Sequence, residues 1–197
     1  YILSLPTWER QLLQHHVIYQ LHTIHKNLQQ GVTFLQCSDG GANNNTGSFG
    51  SIISSNNEIL ATIQGHVAGL QPRSFRAEAY GALAHLRLLL HQQIFYQLPS
   101  PSRLIIYCDN AGLLTRISND MNNAYKTPRQ FLASEIDILL RIQQTLQQLT
   151  PHYELCHVKG HQDNNTPIEQ LPWSAQLNIH CDELASDSLL TAVPIPK

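Results

Sequence analysis

Residues 32–67 read VTFLQCSDGGANNNTGSFGSIISSNNEILATIQGHV, and this stretch decides the fold. Val32 to Ser38 is rich in β-formers and stops at Asp39-Gly40-Gly41. Asn43-Asn44-Asn45-Thr46-Gly47 has the composition of a turn, and Ser48 to Ser55 reads as a second strand. Asn56-Asn57 is another turn, after which Ile59 to Val67 forms a third strand. Two short turns between three strands imply an antiparallel meander.

Downstream, Ser74 caps a helix running to about Gln92, with Phe75, Ala79, Ala82, Leu83, Leu86 and Leu90 as its apolar stripe. Pro99-Ser100-Pro101 breaks the chain. Arg103 to Cys108 is a short, nearly all-apolar strand of the kind buried on both faces. A short helix follows Asp109, and Pro128 opens a longer one through Leu149. Tyr153 to Val158 is a fifth strand, Gln162 to Pro172 a polar loop, and Trp173 to Leu190 the last helix. Upstream, Trp8, Leu12, Leu13, Val17, Leu21, Ile24 and Leu28 recur at steps that predict one helix stopped by Gly31. The expected architecture is α/β: a mixed five-stranded sheet of three antiparallel and two parallel strands, flanked by helices. It divides into an amino-terminal helix over 1–31, a main domain over 32–191 and a tail over 192–197.

At 197 residues and 42% apolar, the chain is long enough and apolar enough for a sizeable core. A formal net charge of −2 gives no strong basic field for a phosphate backbone. Affinity of an isolated domain for any nucleic acid would then be weak and salt-sensitive. The cysteines Cys37, Cys108, Cys156 and Cys181 form no CxxC pair and read as thiols of a reducing setting, cytoplasmic or nuclear. No apolar run is long enough for a helical membrane span. Tyr1 in place of Met suggests a piece of a longer product.

Four acidic residues stand out by position. Asp39 is expected to end the first strand and Asp109 the fourth, Glu78 lies in the first turn of a helix, and Asp182 is on the last helix. In an open α/β sheet, functional groups gather beyond the carboxyl ends of strands. Four clustered carboxylates cannot all ionise without a counter-charge. A pair of oxygen-loving cations supplies it, and two Mg²⁺ ions, which Mn²⁺ can replace, suit phosphodiester hydrolysis.

Around these residues stand Ser38-Asp39-Gly40-Gly41-Ala42, Arg76-Ala77-Glu78-Ala79, Tyr107-Cys108-Asp109-Asn110, His157-Val158-Lys159-Gly160-His161 and Asn178-Ile179-His180-Cys181-Asp182-Glu183-Leu184-Ala185. The set resembles the type 1 ribonuclease H family, over about Val32 to Leu190. The resemblance implies a ribonuclease H-like fold and cleavage of the RNA strand of an RNA–DNA hybrid. It implies that Asp39 bridges two metals, Asp182 holds the one that activates water, and Glu78 and Asp109 hold the one at the leaving group. His161 resembles the family's mobile histidine, and Asn178 a residue that contacts the RNA strand. Gly40, Gly41 and Asn43 resemble the segment that senses the 2′-hydroxyl.

The chain also departs from the family. Asn110 stands where Ser is frequent, which puts its substrate contact in question. The stretch from His161 to Asp182 is long, and only Lys126 and Arg129, with Tyr125, offer a basic handle. Lys159 is a candidate phosphate contact, and Arg73 and Arg76 are read as touching nucleic acid beside the metals. Trp8 and Trp173 are expected to pack. Cys156, His157, His161, His180 and Cys181 fit no common zinc spacing. The stretch Leu5 to Glu9 looks like the connector before such domains in retroelement polyproteins, which implies a covalently linked reverse transcriptase upstream. The competing readings are a non-catalytic nucleic-acid or polymerase-binding module of this fold, and a 3′–5′ exonuclease. Gly40-Gly41 after Asp39, in place of Asp-x-Glu, argues against the exonuclease.

Overall fold

The meander forms as expected and sits inside a six-stranded sheet. The computed structural model describes residues 2–43, 46–67, 72–122 and 134–191, without the side chains of 120–122. In chain order the elements are α1 (Thr7–Leu12), β1 (His15–Ile18), α2 (Leu21–Gln30), β2 (Phe34–Asn43), β3 (Thr46–Ser55), β4 (Glu58–His66) and α3 (Ser74–Tyr96). There follow β5 (Arg103–Cys108), α4 (Ala111–Asn122), α5 (Ile136–Leu149), β6 (His152–His157) and α6 (Trp173–Thr191). The strand order is β1-β4-β3-β2-β5-β6. The pairs β1–β4, β4–β3 and β3–β2 are antiparallel, while β2–β5 and β5–β6 are parallel. Asn56 and Asn57 both take positive φ, as a two-residue hairpin turn between right-twisted strands demands.

The single helix expected over residues 8–28 is instead two helices with a strand between them. β1 pairs in register with β4, from His15 opposite Gln64 to Ile18 opposite Ala61. Helical spacing misled here because its apolar residues do serve one core: Leu12, Leu13, Ile24 and Leu28 are all buried in the main cluster. What breaks the helix is long-range pairing of a β-branched pair, Val17-Ile18, which no local pattern reports. Two smaller corrections concern ends. Ser74 is the first residue of α3 and makes no cap; Arg73 precedes it in extended backbone. The start at Pro128 expected for the long helix lies outside the described residues, where the residues proposed as a basic handle, Tyr125, Lys126 and Arg129, also fall.

Side chains of β2 alternate between two layers, as the period of a strand requires. Even positions face α3: the Gln36 amide donates to the Ala82 carbonyl at 2.7 Å, and a Cβ on Gly81 would lie 2.9 Å from Ser38 Cβ. Odd positions face α6: Cys37 packs with Leu177 and Cys181 in a second cluster, joined by Leu184 and Trp173. Two neighbouring glycines let both helices come down onto the strands. A Cβ at Gly40 would stand 2.4 Å from the backbone of Ala77 and Glu78. A Cβ at Gly50, the register partner of Asp39, would stand 2.2 Å from the Cys181 carbonyl oxygen. Close approach at these points brings Glu78 in from one face and Asp182 from the other.

Both tryptophans pack, as expected. The Arg87 and Arg141 guanidinium carbons lie 5.8 and 4.9 Å from the Trp8 ring, and the Trp173 indole donates to Ser54 Oγ at 3.2 Å. Beside Trp8, buried Glu9 pairs with Arg87 and His91 and ties α1 to α3. Burial alone would push the Glu9 carboxyl up, but these bonds outweigh it and hold it below the usual glutamate value.

Candidate active site

Asp39 is the sixth residue of the ten in β2, not its last. β2 keeps its pairing with β3 as far as Asn43, but its parallel partner β5 stops at Cys108, opposite Ser38. Asp39 therefore stands where the sheet narrows, and Asp109 follows directly on the strand that has ended. Beyond that point groups from the two helical layers meet around one sheet end. Glu78 enters from the second turn of α3 and Asp182 from α6.

The carboxylates influence one another. Burial pushes Asp39 up to about 6, and the charges of Asp109 and Asp182 add to the rise against hydrogen bonds from Gly40 and Asn178. Burial likewise pushes Glu78 up to about 7, helped by Asp109 and Asp39 and opposed by hydrogen bonds from Cys108 and Asn110. Mutual repulsion of this sort is what a polyvalent cation would neutralise, and an all-oxygen carboxylate set suits Mg²⁺. By that measure the residues fit the two-ion site expected from the sequence.

Each acid is held by neighbours. The Gly40 amide donates to Asp39 Oδ1 at 2.6 Å and the Asn178 amide to Oδ2 at 3.0 Å. The Cys108 thiol donates to Glu78 Oε2 at 3.1 Å, and the Asn110 amide to Oε1 at 3.2 Å. Asn110 Oδ1 in turn accepts from the Leu113 amide at the start of α4. His157 Nε2 lies 3.0 Å from the Asp109 carbonyl oxygen, and a Cβ on Gly160 would sit 2.8 Å from Asp109 Oδ2. The glycine of the Val158-Lys159-Gly160-His161 stretch thus lets the turn close over Asp109.

The remaining residues singled out in the sequence differ in their placement. Asn178 is only 3% exposed, with its Oδ1 buried and unpartnered. Its bond to Asp39 makes it a support for that carboxylate, where the resemblance had implied a contact with RNA. Lys159 and His161 are exposed at the exit of β6, with His161 in left-handed backbone at φ 50°. Gly41 and Asn43 continue along β2 past Asp39, and Asn43 accepts from Thr46 Oγ1 at 2.5 Å. Arg76 does not stand free beside the acids: it pairs with Glu135 at 2.5 Å and Asp137 at 2.7 Å, binding α3 to the segment that opens α5. Sequence reasoning missed Cys108 as a partner of Glu78. The Cys108-Asp109 adjacency was visible, but a thiol at the end of an apolar strand reads as core.

These shifts give a pH dependence. A carboxyl raised by folding keeps its proton after the unfolded chain has lost its own. The folded form then binds more protons, so its stability falls as pH climbs from about 4 to about 7 and stays lower above. Thermal unfolding of metal-stripped protein across this window should record the fall, and Mg²⁺ should largely remove it. A flat profile without metal would contradict the clustering of Asp39 and Glu78.

No protein-family model matches the sequence, and no curated protein matches it. Solved structures do resemble it, at low identity. The ribonuclease H1 LC11, in complex with an RNA/DNA hybrid, has a TM-score of 0.57 and 15% identity over 80% of this chain and 97% of that one. The N-terminal RNase H domain of a Mycobacterium tuberculosis protein gives 0.54 and 16%, over 81% of this chain and 95% of that one. The protease-reverse transcriptase of prototype foamy virus also gives 0.54 and 16%, over 87% of this chain and 22% of the viral one. The fold is that of ribonuclease H domains.

Proposed function

We propose that the chain is a metal-dependent endonuclease that hydrolyses the RNA strand of RNA–DNA hybrids. The observation that carries this is the convergence of Asp39, Glu78, Asp109 and Asp182 on the sheet end, with the pKa values of Asp39 and Glu78 raised. When bound, a pair of Mg²⁺ ions supplies an activated water and charge stabilisation at the leaving oxygen. Asp39, which feels both Asp109 and Asp182, would help hold the ions, with Asn178 fixing its orientation. Glu78 and Asp109 would hold one ion and Asp182 the other. Cys108 and Asn110 keep the Glu78 carboxylate in one rotamer, so little has to be reorganised when an ion arrives. His161, on an exposed turn, is suited to carry a proton to or from bulk solvent. Gly40, Gly41 and Asn43 offer backbone and amide groups to a 2′-hydroxyl, and Lys159 offers a charge to a phosphate.

The finer proposal is that this is the nuclease part of a retroelement reverse transcriptase, with residues 32–191 as its catalytic unit. Similarity to the foamy virus enzyme supports it, as does the low basic charge, which leaves substrate grip to a linked polymerase. Four free cysteines suit an intracellular, reducing setting. No helix among the described residues is long and apolar enough to cross a membrane.

Incubated with Mg²⁺ or Mn²⁺, the protein should cut the RNA of a labelled hybrid, spare duplex DNA, and stop on chelation. An intact hybrid, both with the isolated chain and with the chain fused behind a polymerase domain, would reject the proposal.

A further inference from the structure

We propose, on the premise that the four acids hold metal ions, that His157 is a positioning residue for that site. It holds the peptide between Asp109 and Asn110, and through this peptide it sets both the Asp109 carboxylate and the amide that grips Glu78.

The Asp109 carbonyl lies in a gap between two elements. β5 stops at Cys108, and the first carbonyl to accept a helical bond in α4 is that of Asn110, from the Leu114 amide at 3.2 Å. His157, the last residue of β6 and the register partner of Cys108, spans the gap, with Nε2 3.0 Å from the Asp109 carbonyl oxygen. A carbonyl only accepts, so Nε2 carries the proton. The other end of the same peptide is tied as well, since the Asn110 N–H donates to Cys108 Sγ at 3.4 Å. A peptide unit is planar, so bonds at its carbonyl and at its N–H together fix its rotation.

Two site groups leave the chain on either side of this fixed plane. The Asp109 carboxylate runs under the turn that follows β6, where a Cβ on Gly160 would stand 2.8 Å from Oδ2. The Asn110 side chain donates to Glu78 Oε1 at 3.2 Å and accepts from the Leu113 amide at 3.0 Å. Rotation of the 109–110 peptide would therefore disturb Asp109 and Glu78 together. Strand pairing does not need the imidazole bond: the Val158 amide already donates to the Cys108 carbonyl at 3.1 Å and closes the ladder between β5 and β6. His157 is itself exposed, so its ring contributes little to the core. Its bond matters for where two ligands point, more than for whether the chain folds.

The test is a Mn²⁺ titration of the full chain without substrate, read from the electron paramagnetic resonance of the free ion, beside the Mg²⁺ dependence of hybrid cleavage. His157→Ala should raise the Kd for Mn²⁺ about tenfold, and the Mg²⁺ concentration for half-maximal cleavage by a similar factor. The metal-free melting temperature should stay within about 2 °C of wild type, which a merely structural bond would not predict together with the weakened binding. His157→Phe keeps a ring without the donor and should match His157→Ala. His157→Gln, whose amide reaches about as far as Nε2, should restore most of the affinity. His152→Ala, at the other end of the same strand, should leave it unchanged. Far-ultraviolet circular dichroism checks folding, and if His157→Ala is not folded, the contrast between His157→Phe and His157→Gln carries the test. An unchanged Kd in a folded variant lacking the donor, a His157→Gln no better than His157→Phe, or a wild type that binds no Mn²⁺ would overturn the proposal. Mn²⁺ binding that depends on His157, in a protein that leaves the hybrid intact, keeps the positioning role and removes the nuclease. Cleavage whose Mg²⁺ dependence ignores His157 does the reverse.

Discussion

Asp109→Asn should lower hybrid cleavage by about a thousandfold or more, about 4 kcal/mol of transition-state stabilisation, while leaving the protein folded. Asp109 is half-buried, and what its main chain does, accepting from His157 through the carbonyl, is unchanged by the substitution. What is lost is a negative oxygen facing Glu78 and Asp39, whose carboxyls its charge pushes up. Two opposite signs should therefore appear in one variant. Cleavage collapses because a ligand is gone, and the metal-free protein melts at a higher temperature because a repelling charge is gone. Activity within about tenfold of wild type, or a metal-free melting temperature below it, would show that Asp109 is not part of the acidic cluster.

Gly50→Ala should be strongly destabilising. Its Cβ would lie 2.2 Å from the Cys181 carbonyl oxygen, 2.7 Å from Leu184 Cβ and 2.9 Å from the Ala185 amide nitrogen. Two of these neighbours are main-chain atoms of α6, so no rotamer change relieves the clash and the helix itself has to lift. The expected loss is about 3 kcal/mol of stability. α6 also carries Asn178 and Asp182, so lifting it weakens the grip on Asp39, and cleavage should fall further than the unfolded fraction accounts for. Urea unfolding and cleavage at a temperature where the variant is folded measure the two effects. A stability loss under about 0.5 kcal/mol would contradict the close seating of α6 on β3.

Much of this arrangement could be read from residue order. Strands at 32–67, the β5 span Arg103–Cys108 and the last helix follow from local composition, because each buries a face that its own pattern announces. The four acids stood out by their surrounding motifs: Asp109 follows an apolar strand and Asp39 precedes two glycines, whereas Glu78 and Asp182 lie within helices. Position along an element was harder. Asp39 was expected at the end of a strand, but β2 outlasts β5 because its other neighbour, β3, continues. Strand β1 was hidden because Val17 falls into a helical spacing with Leu13 and Leu21. Arg76 was read as facing nucleic acid, yet it is engaged by Glu135 and Asp137, 59 and 61 residues further along the chain. Contacts at that separation leave no mark in a local pattern, and the Cys108–Glu78 bond, across 30 residues, is another of the kind.

β1 also decides where the sheet is open to other chains. Without it, the nine residues of β4, most of them apolar or small, would present a bare row of amides and carbonyls. With it, that border passes to a strand of four residues, two of them histidine. So short a rim is a poor template for a neighbouring backbone on this side of the sheet, the opposite edge being β6.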